Sequence, residues 1–169
     1  VRRFFPDEDI ESYTDAMAAV LRAANVDTAR RNVLVAHQFV TGAVPCESEE
    51  LSVGGTDNVA VCVFDDFDYV ALGHIHGPQK VGRETVRYCG TPLKYSFSEV
   101  GHKKSVTVVE MGAKGSVGIR TVPLVPRRDM SELRGTYNTL MLRENYEGKP
   151  FRNDYLHITL TDEEDIPNA

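Results

Sequence analysis

Val70-Ala71-Leu72-Gly73-His74-Ile75-His76-Gly77 is the stretch on which the rest of the chain turns. Tyr69 to Leu72 is a short apolar run of the kind that forms a buried strand. It breaks at Gly73 and presents His74 and His76 two residues apart, with Gly77 and Pro78 behind them. In extended backbone, residues i and i+2 point to one side. His74 and His76 are therefore expected to face one volume while Ile75 faces the protein. A strand that empties into a glycine-bracketed turn with two imidazoles is built like a ligand-presenting loop. The competing reading is a pair of loop histidines with no ligand.

A third histidine sharpens the first reading. Asn32-Val33-Leu34-Val35-Ala36-His37 is another apolar, β-branched run that ends in histidine, ahead of Phe39 and Gly42. Both strands are expected to be buried and to deliver histidine at their carboxyl ends. In open α/β sheets, ligands sit beyond those ends. Neutral imidazole suits borderline transition metals. His37, His74 and His76 are thus candidate metal ligands. For His37 taken singly, a core histidine satisfied by a backbone carbonyl remains the alternative.

The chain has 169 residues, 41% hydrophobic and 26% charged, the composition of an ordinary globular domain with room for a small appendage. No apolar run approaches the ~18 residues that a membrane span needs, and no signal-peptide pattern opens the chain. A cytoplasmic location without membrane attachment is expected. The three cysteines, Cys46, Cys62 and Cys89, lack CxxC spacing, so free thiols are expected. Net charge is −6, yet residues 80–104 hold six basic side chains against two acidic ones. A basic strip beside a candidate metal site suits a phosphate-bearing substrate. A solvated hairpin face would look the same in sequence.

In chain order, the start at Val1 and the Arg2-Arg3-Phe4-Phe5-Pro6 opening resemble mid-chain material, so a piece of a longer polypeptide is expected. Residues 12–24 form an amphipathic helix, with Tyr13, Met17, Val20, Leu21 and Ala24 on one stripe. Ser12 and Asp15 resemble a capping box. Residues 41–58 are aperiodic and contain Glu47, Glu49, Glu50 and Gly54-Gly55, an acidic loop that lies near His37 and is more readily solvated than metal-bound. Residues 59–64 are one helical turn or a strand, and Asp65-Asp66 turns into the strand before His74. Beyond Pro78 the chain is β-rich, with one hairpin around Gly82-Arg83 and a second across residues 112–115. Between them, residues 89–99 carry Lys94 and Tyr95, which could contact phosphate and a sugar or base. Tyr95 and Phe97 could equally be core anchors. Residues 131–143 are expected to be helical and residues 155–160 a strand.

The order strand–His, then strand–Gly-His-x-His, resembles the last two metal-binding motifs of the calcineurin-like metallophosphoesterases. The likeness extends to their SbcD-type nuclease subunits. It is carried by residues 32–42, 67–76, Pro78-Gln79, Tyr88-Cys-Gly-Thr-Pro-Leu-Lys-Tyr-Ser-Phe-Ser-Glu99 and His102-Lys-Lys-Ser105. Residues 155–162 are similar to the start of that family's capping domain. The resemblance implies an α/β fold, part of a two-sheet metallophosphoesterase sandwich that is β-rich after residue 68. Residues 1–128 would be the carboxyl-terminal half of the phosphoesterase domain and residues 129–169 a truncated capping domain.

The same resemblance implies two-metal, manganese-dependent hydrolysis of DNA phosphodiesters at ends and hairpins. It further implies an SbcC-type ATPase partner, a homodimeric full-length protein and a role in DNA repair and recombination. Two divalent cations ~3.5–4 Å apart activate water and neutralise charge on the attacking and leaving oxygens. By resemblance, His37 and His74 hold one ion and His76 the other. Lys80, Arg83, Lys94 and Tyr95 are candidate substrate contacts read from the basic strip and the loop after it. The family's earlier motifs, with a bridging carboxylate and the catalytic histidine, have no match here. Three neutral imidazoles supply no anionic bridge, so this chain alone is expected to hold neither ion tightly and to cleave nothing. The family pattern also places a basic residue before Pro78, where this chain has Gly77. Lys80 or Arg83 could regain that contact. Alternatives are a phosphoesterase acting on small phosphodiesters or phosphoproteins, and a non-enzymatic β-module of cupin type. In cupins, HxH precedes the lone histidine, the reverse of the order here.

Overall fold

Four strands form the sheet on which the three histidines are carried. The structure is a computed structural model that describes residues 1–49 and 58–164. Glu50, Gly54-Gly55 and the end of the acidic tail after Glu164 lie outside the described residues. The sheet contains β1 (Val33–His37), β2 (Tyr69–Gly73), β3 (Gln79–Val81) and β4 (Arg83–Tyr88), in the order β1-β2-β4-β3. β1, β2 and β4 run parallel, and β3 returns antiparallel to β4. Gly82, at φ +70, makes the tight β3–β4 connection, a backbone shape that glycine adopts without steric cost.

β2 is central, and Val70 and Leu72 are buried, as its apolar run predicts. β1 differs from expectation. It occupies an edge of the sheet and alternates, with Leu34 and Ala36 packed on the core while Val33 and Val35 are 52% and 79% exposed. An apolar run does not distinguish an edge strand from a central one. The core beneath the sheet is built from Val40, Val59, Phe64, Val70, Val86 and Tyr88. The apolar residues 59–64 divide between the two expected forms: Val59 bridges Val40, and Val61–Phe64 makes a 3-10 turn.

Helix α1 (Tyr13–Ala24) starts at the expected cap. The Asp15 N–H donates to Ser12 Oγ at 3.1 Å, and the Ser12 N–H donates to Asp15 Oδ2 at 2.9 Å. Together these satisfy two amides that the first turn leaves open. Asn25, at φ 46, closes the helix. Met17 and Leu21 pack on the core, whereas Tyr13 and Val20 of the expected stripe are half exposed.

β5 (Ser105–Met111) and β6 (Val117–Pro123) form the second hairpin. β7 (Met130–Gly135) and β8 (Tyr155–Leu160) form a separate parallel pair. α2 (Tyr137–Leu140) and α3 (Arg143–Tyr146) lie in the crossover between them. A helix over 131–143 is therefore not what forms. Its first part is strand β7, because in-register pairing with β8, twenty-odd residues away, outweighs local helix propensity. Helix begins only at α2, where the Thr136 hydroxyl caps the Thr139 N–H. Mixed α/β content with strands dominant fits part of a metallophosphoesterase sandwich. Among the described residues no helix is long and apolar enough to cross a membrane.

Candidate metal centre

Because β1, β2 and β4 are parallel, their carboxyl ends open on one rim of the sheet. The register sets His37 directly across from Gly73, so His37 and His74 leave neighbouring strands side by side. Their ring centroids are 5.3 Å apart, with the rings at 72°. Phe39 packs edge-on against His74 at 6.3 Å. Gly73 leaves room for the His37 ring, because a Cβ on it would come 2.9 Å from His37 Nδ1.

The backbone does not continue as a strand through the histidine pair. β2 ends at Gly73, and His74 has φ 109, a region costly for a side-chain-bearing residue. The i, i+2 alternation expected for His74 and His76 therefore does not apply. Ile75 is buried all the same. The ring of His76 faces Tyr95, with centroids 6.1 Å apart. Among the described ring contacts, none joins His76 to His37 or His74.

Buried Tyr88, at the end of β4, fixes the chain that follows His37. Its hydroxyl donates to the Gln38 carbonyl at 2.6 Å and accepts from the Val40 N–H at 2.9 Å. Gln79, at the start of β3 on the same rim, pairs through its amide with the N–H and the carbonyl of Val44, both at 2.8 Å.

His76 is held from both ends by the segment after β4. Its carbonyl accepts from the Thr91 N–H at 3.1 Å and from Lys104 Nζ at 3.0 Å. Gly90, at φ +77, permits this approach, since a Cβ there would meet the His76 carbonyl oxygen at 2.6 Å. The His76 N–H donates to Glu49 Oε1 at 2.5 Å. His76 Nδ1 lies 3.1 Å from Glu99 Oε1 and 3.0 Å from Ser48 Oγ. Glu99 is fully buried, and Lys104 Nζ donates to its other oxygen at 2.5 Å. Burial opposes ionisation of Glu99. Hydrogen bonds from Lys104, Ser48 and His76 outweigh it and hold the carboxyl at about 2. The His102 imidazole is pushed down by burial and by the nearby Lys104 charge. It also occupies the space beside Gly77, where a Cβ would meet its ring at 3.2 Å.

Two donor groupings can be tested against a cation. His37 and His74 present adjacent imidazoles at an open rim, over a glycine whose missing Cβ makes room for the ring. That suits a borderline divalent ion. Cys46, His76 and Glu99 also bring ligand atoms within 4.8 Å of one another. The Ser48 hydroxyl oxygen sits among them, 2.9 Å from Cys46 Sγ, 3.0 Å from His76 Nδ1 and 2.8 Å from Glu99 Oε1. An ion there would have to displace Ser48 and share Glu99 with the Lys104 ammonium.

The basic and aromatic residues expected to meet substrate take varied positions. Lys80 is exposed and pairs with Glu84. Arg83 donates to Asp65 and to the carbonyls of Phe64 and Phe67, each at 2.8 Å. Lys94 is largely covered and pairs with Asp129 at 2.9 Å. Tyr95 is 61% exposed beside His76. No motif in the sequence marks Ser48, Glu49, Glu99 and Lys104 as partners of His76. The spacing of Glu99 and Lys104 across a short turn was visible. Burial, which makes them a pair, was not.

No family model matches the chain. Over 164 residues, 95% of its length, the chain is 32% identical to the SbcD component of the nuclease SbcCD of Staphylococcus epidermidis. It spans 43% of the length of that relative.

Proposed function

From the premise that the chain is SbcD-like along nearly all of its length, we propose that it carries metal-binding residues of a DNA nuclease. In the whole protein, His37 and His74 would hold one divalent ion and His76 the other, with manganese as the expected metal. Bound there, the pair of ions would supply an activated water and charge neutralisation for phosphodiester hydrolysis. The chain's own part is to present imidazoles from a rigid sheet rim, on backbone fixed by Tyr88, Gly73 and Gly90. One observation supports this above the others. His37 and His74 come from strands 36 residues apart at their paired starts, Val33 and Tyr69, yet their rings meet at 5.3 Å.

DNA ends and hairpins are the proposed substrate, and an SbcC-type ATPase the proposed partner. Lys80 and Tyr95, both exposed, are the readiest of the four proposed substrate contacts, with Arg83 and Lys94 behind them. Residues 1–128 would belong to the phosphoesterase domain and residues 129–169 to a capping unit, in a cytoplasmic protein that dimerises when whole. Glu49 and Glu99 are engaged by His76, Ser48 and Lys104, which leaves the imidazoles without an anionic bridge from either. The chain by itself is therefore expected to bind metal weakly and to lack nuclease activity.

The test joins this chain to the remainder of an SbcD-type protein. Hydrolysis of linear and hairpin duplex DNA is then measured with manganese. Turnover that His74→Ala abolishes without unfolding the protein supports the proposal. Turnover that survives His74→Ala contradicts it.

A further inference from the structure

We propose that Glu99 is a positioning residue for His76: its buried carboxylate accepts a hydrogen bond from Nδ1–H and so leaves Nε2 with the free lone pair, as the metal-ligating atom. This rests on the reading of His76 as a ligand. Glu99 is fully buried and lies 2.5 Å from the Lys104 ammonium, so it is an ionised acceptor with no proton to give. The Ser48 hydroxyl has one proton, and Glu99 Oε1 at 2.8 Å is its charged acceptor. His76 Nδ1, 3.1 Å from the same oxygen, must then carry hydrogen, or two lone pairs would face each other. Turning the Ser48 proton onto Nδ1 would leave that repulsion in place. Carboxylate–histidine–metal relays work in this way, the outer carboxylate fixing the tautomer and the ring orientation.

The clamp is two-ended. Lys104 Nζ donates to Glu99, to Thr91 Oγ1 at 2.7 Å and to the His76 carbonyl at 3.0 Å, with His102 Nδ1 farther off at 3.4 Å. One buried ion pair therefore fixes both the ring and the backbone of the same histidine. Tyr95 adds its N–H to Glu99 Oε1 at 3.3 Å.

Imidazole nitrogen NMR on the metal-free labelled chain, at a pH where the rings are neutral, tests the tautomer. The expected result is Nδ1–H for His76 in the native chain and in Ser48→Ala. Glu99→Gln should shift His76 toward the Nε2–H form, while Glu99→Asp should restore much of the native signal. Backbone amide spectra of each variant report whether the fold is kept. Manganese titration then follows broadening of the His76 ring protons. In Glu99→Gln the ion concentration for half-broadening should rise about 10–100-fold. His76 found as Nε2–H in the native chain, or turned to that form by Ser48→Ala, overturns the proposal. So does an unchanged Nδ1–H form in a folded Glu99→Gln. An Nδ1–H signal that manganese leaves sharp contradicts instead the reading of His76 as a ligand.

Discussion

The imidazole of His37 lies directly over Gly73, so close that a methyl group on Gly73 would come 2.9 Å from Nδ1. The glycine before the two histidines therefore serves a neighbouring strand. It leaves the space in which His37 reaches the ring of His74. Gly73→Ala should swing the His37 ring toward solvent. Because that ring is the exposed end of a side chain, stability should fall by no more than about 1 kcal/mol. Loss of the His37–His74 ring cross-peaks in a protein of near-native melting temperature is the outcome that checks this.

Tyr88→Phe removes one hydroxyl and two hydrogen bonds from the core. The Val40 N–H, buried with its residue, loses its acceptor, and the Gln38 carbonyl loses its donor. A buried backbone group left unpaired costs about 1–3 kcal/mol. Denaturant unfolding should show a loss in that range. Faster amide exchange at Val40 should accompany it.

Asp68 joins β1 to the β5–β6 hairpin. It accepts from Lys114 Nζ at 2.7 Å, the Asn32 N–H at 2.8 Å and the Gly115 N–H at 3.1 Å. The Lys114 hydrogen bond first, and the two amides with it, bring its carboxyl down to about 2 from 3.8. A carboxyl lowered on folding adds stability above its unfolded value and loses it as pH falls toward the folded one. Stability should thus drop between about pH 4 and pH 2. Asp68→Asn should be less stable at neutral pH and show a shallower loss across that window.

On the proposed DNA substrate, Lys80 and Lys94 should separate in a binding experiment on this chain joined to the remainder of an SbcD-type protein. Lys80 is exposed, and its partner Glu84 is exposed with it. Lys80→Ala should weaken DNA binding whatever the sequence and lower the salt slope by about 1. Lys94 is 10% exposed and holds Asp129, the residue before β7. Lys94→Ala should chiefly lower melting temperature.

What the sequence revealed was what local chemistry decides. The Ser12–Asp15 box starts α1 where its pattern predicts, and Gly82 turns the first hairpin. The apolar runs ending at His37 and near His74 became the neighbouring parallel strands β1 and β2. Non-local features were hidden. β7 forms because β8 pairs with it, and nothing within residues 131–143 announces that partner. The positive φ of His74 defeated an argument from strand alternation. Glu99 and Lys104 counted as surface charge in a basic strip, yet they are buried together under His76.

We propose that His37 and His74 act as one metal-binding unit. Manganese added to the labelled chain tests it, because the ion broadens protons close to it. The ring protons of His37 and His74 should broaden together, weakly and without saturating at stoichiometric ion, and His74→Ala should remove the effect at His37. Broadening confined to other parts of the chain, or broadening of His37 that is indifferent to His74→Ala, would contradict it.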